Sequence, residues 1–428
     1  MKRTVLAFIL SAQAIITTAQ SRNDYDAVVN KFQKFYNLKQ PDSVFSLFAD
    51  RIKGMMPLDK TTEMVGKLHE QFGEMQSNEF TKQDEHFTYY KTGFSKGTLI
   101  LVVGLTKENK LQNFRFTPYQ EDKPTTNDKA TNNTEKPNII LKTATGNIYG
   151  TLALPGNGKK VPVVLIIAGS GPTDRNGNCA AMGLKGNTYK MIADSLQKAG
   201  IASVRYDKRG IGESAGAMKD EESISFNDMV NDATGFIGML NKDPRFSKVT
   251  ILGHSEGSLI GIIAAGKGKA NAYISVAGLG ERADRTLEKQ IGVQSQELAE
   301  KATIILDSLD KGYTVKNIDP SLTSIFRPSV LPYMISWLKY DPQQEIRKLS
   351  IPVLILQGTT DIQVGMEEAA KLKKASPHAT LKLVKGMNHI LKQAPEDRQQ
   401  NIATYSNPDL PLSPGFMPEI VKFIKGVK

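Results

Sequence analysis

The sequence predicts an α/β protein, a mostly parallel sheet with helices on both faces, carried behind a smaller α+β domain. Two observations predict it. From residue 139 onward, short runs of Val, Ile and Leu alternate with helical segments, and strands apolar on both faces belong to a parallel sheet covered on each side. Ahead of them, residues 120–138 read QEDKPTTNDKATNNTEKPN, with no large apolar residue, a composition that marks a linker between two domains. A chain of 428 residues also suits two domains rather than one.

The first segment has its own logic. Lys2 and Arg3 precede an apolar run over 4–16, and small residues follow at 17–19. This reads as a signal peptide over 1–19 and an exported protein, periplasmic or secreted. The run is shorter than the ~20 residues that span a bilayer, so no membrane anchor is expected. No cysteine stands directly after it, which disfavours a lipoprotein. Cys179 is the single cysteine, so no intramolecular disulfide can form. The net charge of +11 is spread among interspersed acids and bases without a basic arm, and no nucleic-acid partner is expected.

Residues 24–119 form the small α+β domain. Tyr25, Val28, Val29, Phe32, Phe35 and Tyr36 share one face at helical spacing, and Met64, Val65, Leu68 and Phe72 repeat the pattern. Strands are expected at 87–90, 98–105 and 111–118. His69 and His86 have no partnering motif and read as structural or surface residues.

In the domain 139–428, strands are expected at 139–148, 149–154, 161–167, 201–206, 248–252, 272–276, 352–356 and 380–384. Helices are expected at 189–198, 225–240, from 255 onward, near 366–374 and near 417–424. The stretch 281–349 is a mostly helical insertion between two strands. Placed at the carboxyl edge of such a sheet, it would cap the site there; the plainer reading is a decorative helical hairpin.

Two serines fit G-x-S-x-G: Ser214 in GESAG and Ser255 in GHSEG. The pattern alone is weak, because its mechanics ask for a sharp turn between a buried strand and a helix. Ser255 meets that demand: VTIL precedes it, Gly253 and Gly257 flank it, and LIGIIAA continues as a helix. Ser214 lies among polar residues and reads as a loop residue. A serine needs a base, and five histidines are available. His69 and His86 lie in the other domain. His254 points the wrong way at a sharp turn, and His378 precedes its strand. His389 follows the strand 380–384, at the carboxyl edge, and is the expected base.

The imidazole needs a carboxylate to fix its tautomer. Asp361, just past the strand 352–356, is best placed; Glu281, Asp284 and Asp397 are its rivals. The oxyanion needs two donors. The backbone N–H of Glu256 is one, and that of Ser170 in AGSGPTDRNGN is the other, with Gly169 as the alternative. Asp174 and Arg175 read as an internal ion pair, or as contacts to a polar substrate. No His/Cys cluster or H-E-x-x-H occurs, so neither metal nor cofactor is expected.

Together these residues resemble an α/β-hydrolase. The resemblance covers residue 138 onward and rests on GSGPTDRNGN, RYDKRGIGES, LGHSEGS, LQGTTDIQV and GMNH, in that order. It is similar to the bacterial carboxylesterase and serine-aminopeptidase-like branch, and it implies the roles already given to Ser255, Asp361 and His389. It also implies that Asp207, Arg209 and Gly210 are structural and that GESAG is a decoy. Ala168 stands where many relatives carry a histidine, which a backbone donor tolerates. The N-terminal domain resembles the small nuclear-transport-factor-like domain often fused ahead of such hydrolases. That likeness implies a pocket or a dimer surface and no chemistry.

The expected function is hydrolysis of a small carboxylic ester through an acyl-enzyme. The alternatives are a peptidase, which needs an acidic cluster such as Glu281, Asp284, Glu288 and Glu297 for a substrate amine, and a binding protein on an inactive scaffold. Phe326, Tyr333, Met334 and Trp337 read as an acyl pocket or as the insert's own core.

Overall fold

The computed structural model describes residues 21–427, apart from 84–86, 119–137, 157, 159, 180–183 and 294. The expected signal peptide, the expected linker up to its last residue, and His86 lie outside the described residues. The chain divides into two compact units, 1–129 and 130–428.

Among its described residues the first unit sets four helices, α1 (Arg22–Asn37), α2 (Pro41–Ser46), α3 (Asp50–Met55) and α4 (Leu58–Phe72), with four strands. These are β1 (Met75–Gln83), β2 (Thr88–Phe94), β3 (Gly97–Leu105) and β4 (Leu111–Pro118), joined in the antiparallel order β1-β2-β3-β4. Phe32, Tyr36, Phe48, Leu101 and Val103 are fully buried between the helices and the sheet. Strand β1 was not expected. Its sequence, MQSNEFTKQ, buries only Met75, so it has no apolar alternation to read, and its place at the sheet edge explains why it needs none. His69 is structural: Nε2 lies 2.8 Å from the Tyr36 carbonyl and the two rings stack.

The second unit is built on an eight-stranded sheet. It opens with a hairpin, β5 (Ile139–Thr143) and β6 (Gly146–Ala153). The turn falls at 144–145 rather than after residue 148 as expected. Gly146 holds φ at 146°, and a Cβ there would come within 2.8 Å of the Ala217 backbone. Strand β7 (Val161–Ile167) leads through a small ribbon, β8 (Asn178–Cys179) and β9 (Leu184–Lys185), to α5 (Thr188–Lys198) and β10 (Ala202–Tyr206). Then come α6 (Phe226–Lys242), β11 (Phe246–His254), α7 (Glu256–Gly268) and β12 (Ala272–Val276). The insert carries α8 (Ala283–Gly292), α9 (Gln296–Asp310), α10 (Thr323–Phe326), α11 (Leu331–Trp337) and α12 (Pro342–Arg347). Strand β13 (Val353–Gly358), α13 (Met366–Ala375), β14 (Thr380–Val384), α14 (Arg398–Ala403) and α15 (Phe416–Gly426) complete it.

The strand order is β14-β13-β12-β11-β7-β10-β6-β5. All neighbours from β14 to β10 pair parallel, and β6 and β5 add antiparallel. Alternation along the strands explains the two apolar layers. Val163, Leu165 and Ile167 of β7 face α6, α7 and α13, whereas Val164 and Ile166 face α5 and α15. The chain leaves β7 toward β10 and returns on its other side as β11. That reversal opens a crevice at the carboxyl ends of these strands, where open α/β sheets bind ligands. Within the insert, α8 to α11 close over their own core of Ala302, Leu306, Leu309, Phe326 and Leu331. Ile346 of α12 instead joins the sheet's own core.

Arg209 ties the loop after β10 to α6. Its Nε and Nη2 donate to the two oxygens of Asp232, each at 2.7 Å, and both side chains are buried. Arg209→Met would leave Asp232 as an unpaired buried carboxylate, a change that costs about 3–5 kcal/mol. Urea unfolding should show that loss; an unchanged midpoint would refute the structural role.

Candidate active site

Strand β11 ends in Gly253-His254 and α7 begins at Glu256, so Ser255 must turn the chain between them in a single residue. It does so with φ 55° and ψ −122°, a left-handed conformation costing a non-glycine residue about 1–3 kcal/mol. The glycines on either side make the turn possible. A Cβ on Gly253 would lie 2.2 Å from the Gly257 carbonyl oxygen, and one on Gly257 would lie 2.5 Å from the carbonyls of Ile167 and Ala168. Elbow and β7 therefore touch backbone to backbone.

Two loops bring side chains to this turn. His389, in the loop after β14, places Nε2 3.2 Å from Ser255 Oγ, and its Nδ1 lies 2.9 Å from Asp361 Oδ2. Asp361, in the loop after β13, has no exposed side-chain surface. Its Oδ1 accepts from the backbone N–H groups of Gln363 and Val364, at 2.8 and 2.9 Å, and its Oδ2 also accepts from Gln357 Nε2 at 3.2 Å. Burial pushes this carboxyl up, but the His389 imidazole and the backbone donors outweigh it and hold it below its usual value. The loop bearing His389 is pinned by Asn388, whose Nδ2 donates to Asn401 Oδ1 at 3.2 Å and to Thr404 Oγ1 at 2.8 Å.

The loop after β7 lies against the same turn: a Cβ on Gly169 would come within 3.1 Å of Ser255 Cβ. Its two expected donors are not equivalent. The Gly169 N–H is taken by Tyr189 Oη at 3.0 Å, whereas the Ser170 and Glu256 N–H groups meet no acceptor among the described residues. Gly169 is thus not free to donate to a ligand.

Ser214 is not a loop residue: it lies wholly buried in a 3-10 turn and its Oγ accepts from the Tyr149 N–H at 2.9 Å. Arg175 does not pair with Asp174. Its backbone N–H and Nη1 both donate to Asp207, while Asp174 accepts from the N–H groups of Asn176 and Asn178. Asp397 caps α14 through the Gln400 N–H, and His378 lies 3.4 Å from Ser376 Oγ, ahead of β14. The four acids proposed for a substrate amine each have a basic partner: Glu281 with Lys289 and Lys371, Asp284 with Arg282, Glu288 with Arg285, and Glu297 with Lys301. Phe326 and Met334 belong to the insert's core, and the Trp337 ring stacks parallel to Phe226. Among the described residues no His, Cys, Asp or Glu group of three or more is placed to hold a metal ion. No described helix is long and apolar enough to cross a membrane.

Sequence reasoning missed His254 and Tyr189. His254 Nε2 lies 2.8 Å from the His389 carbonyl, and its Nδ1 lies 2.9 Å from Tyr189 Oη. A carbonyl only accepts, so Nε2 carries the hydrogen and Nδ1 accepts from the Tyr189 hydroxyl, which in turn accepts from Gly169 N–H. One chain of fixed direction thus joins the β7 loop to the His389 loop. Burial, reinforced by the nearby His389 imidazole, lowers His254 to about 3.

That value gives a test. The folded chain keeps His254 neutral, while the unfolded chain protonates it below about pH 6.5. Unfolding therefore takes up a proton, and stability present above 6.5 is lost as pH falls toward 3, by up to about 1.4 kcal/mol per pH unit. In urea titrations at pH 7 and pH 5, His254→Gln should lose less stability on acidification than the wild type. Parallel losses would refute the neutral histidine.

A mostly parallel sheet with this strand-turn-helix at its carboxyl edge defines an α/β-hydrolase. Residues 180–394, just over half of the sequence, match the serine aminopeptidase, S33 family, and the chain belongs to that family. Esterase EstD of Thermotoga maritima is 24% identical over 360 residues, spanning 82% of this chain and 84% of that protein. Among solved structures, Est1E from Butyrivibrio proteoclasticus with ferulic acid bound aligns at 16% identity and a TM-score of 0.44, over 67% of this chain and 96% of its own. The esterase EaEST from Exiguobacterium antarcticum aligns at 16% identity and 0.40, over 67% and 98%.

Proposed function

We propose that this hydrolase cleaves carboxylic esters through an acyl-enzyme at Ser255. The observation that carries the reading is the continuous chain from Asp361 to His389 to Ser255, at 2.9 and 3.2 Å, on a left-handed turn. Ser255 Oγ attacks the ester carbonyl while His389 Nε2 takes its proton. Asp361 keeps the hydrogen on Nδ1 and stabilises the imidazolium. The N–H groups of Glu256 and Ser170 receive the developing oxyanion. His389 then returns the proton to the leaving alkoxide, and a water activated by the same imidazole releases the acid.

An ester suits the site better than a peptide amine, because Glu281, Asp284, Glu288 and Glu297, the acids weighed for a substrate amine, are each already paired with a lysine or arginine. The similarity to an esterase, EstD, points the same way. The family's name favours a second reading, an aminopeptidase. Parallel assays with p-nitrophenyl acetate and aminoacyl p-nitroanilides separate the two, and turnover of the anilides alone would overturn the ester reading. If 1–19 is an export signal, the enzyme acts outside the cytoplasm.

Ser255→Ala should lower kcat by about 10³-fold or more. Ser214→Ala should leave kcat unchanged and cost about 1 kcal/mol of stability, from one lost hydrogen bond. Equal activity in both variants would remove Ser255 from its role. A fluorophosphonate should label the wild type stoichiometrically; no labelling would favour a binding protein on an inactive scaffold.

Asp361→Asn should cut kcat by about 10⁴-fold, the size this change has where it imposes the wrong histidine tautomer. A greater sensitivity at Glu281 or Asp284 would move the acid to the loop after β12.

A further inference from the structure

Lys208 is a buried ammonium whose contacts are unlike those of its charged neighbours. Arg209 and Arg175 each bond a carboxylate directly. The Lys208 Nζ instead donates to the Gly169 carbonyl at 2.5 Å, and its nearest carboxylate, Glu256, stands at 3.9 Å, beyond hydrogen-bond distance. Both side chains are under 10% exposed. Burying an ammonium is costly, and a lysine kept only as half of an ion pair would sit on its carboxylate. Here the direct bond goes to a peptide group.

That peptide is the one whose N–H belongs to Ser170. In a trans peptide the carbonyl and the N–H point in opposite directions. Holding the Gly169 oxygen toward Lys208 therefore turns the Ser170 N–H the other way, and a cation on the oxygen polarises the amide and strengthens that donor. The same ammonium attracts the side chain of Glu256, the residue that carries the other proposed donor. Glu256 Oε1 is held in turn by the Tyr333 hydroxyl of α11 at 2.9 Å.

We propose that Lys208 is the positioning residue of the oxyanion hole, one ammonium fixing the 169–170 peptide plane and drawing in Glu256 so that both N–H groups converge. The proposal rests on the ester-hydrolase reading. It acts through the backbone and Lys208 does not touch the substrate. Because the fixed groups meet the oxyanion rather than the bound ester, Lys208 belongs to transition-state binding and not to substrate affinity.

The test uses the full chain and p-nitrophenyl acetate. Lys208→Met keeps the apolar stem and deletes the charge. It should lower kcat about 10²-fold, the scale of one lost oxyanion donor, with KM within about threefold of wild type. Inhibition by phenylboronic acid, whose tetrahedral adduct carries an oxygen at the same place, should weaken by a similar factor. A folded Lys208→Met chain that keeps kcat within about threefold, or loses only KM, overturns the proposal. If circular dichroism shows that this variant does not fold, Glu256→Gln decides: kcat should fall about fivefold at unchanged KM, and an unchanged kcat overturns it. Ser255→Ala run alongside separates the two failures. An active Ser255→Ala sinks the ester-hydrolase reading, whereas an inactive one beside an unaffected Lys208→Met sinks only the role of Lys208.

Discussion

The single left-handed residue between β11 and α7 is the constraint on which the site depends. A serine at φ 55° is unfavourable by itself, and it persists because both neighbours are immovable. Strand β11 is paired on both sides, to β7 and β12, and α7 is buried from Glu256 through Ala265. The sheet cannot move to relax the turn, so the strain is held and the hydroxyl projects at a fixed point. The distances of 2.2 and 2.5 Å found for added Cβ atoms at Gly253 and Gly257 show how little space the arrangement leaves.

The histidine is tethered to that point twice. Its imidazole meets Ser255, and its own carbonyl meets His254, the residue immediately before. An imidazole fixed through side chain and main chain to adjacent residues of the elbow has little freedom to drift. That restriction matters because small misplacements in a reacting pair cost large factors in rate. Tyr189 extends the tether to Gly169, so the loop after β7 is referenced to the same two residues. The proposed catalytic side chains and oxyanion donors share one frame, the backbone around residues 254–257.

Much of this frame was legible in the sequence, and the reason is topological. Ser255, Asp361 and His389 each follow an apolar strand, and in a parallel sheet every such loop emerges at the same edge, so order along the chain becomes proximity. The two serine motifs were separable because Ile251 and Leu252 before Ser255 are strand residues, while Asp207 to Gly210 before Ser214 are not. The supporting contacts had no such signal. Tyr189 meets His254 across 65 residues and Tyr333 meets Glu256 across 77, with no spacing rule to predict either. Arg175 was paired with its neighbour Asp174, but its partner Asp207 lies 32 residues away on the loop after β10. In the first unit β1 was invisible because an edge strand with one buried residue carries no alternation, and in the second the turn at 144–145 was hidden by flanking β-type residues.

The insert between β12 and β13 closes over an apolar cluster of its own, while α12 packs with the sheet's helices. It meets the scaffold chiefly around Phe226 of α6, where Tyr333, Trp337 and Tyr340 pack their rings, and through polar contacts of Tyr333 with Glu256, Ser336 with the Phe226 N–H and Tyr340 with Asn227. A segment joined in this way is exchangeable. Recombination or gradual drift can rewrite it while every strand keeps its register, so this stretch is free to diverge faster than the sheet that holds Ser255, Asp361 and His389.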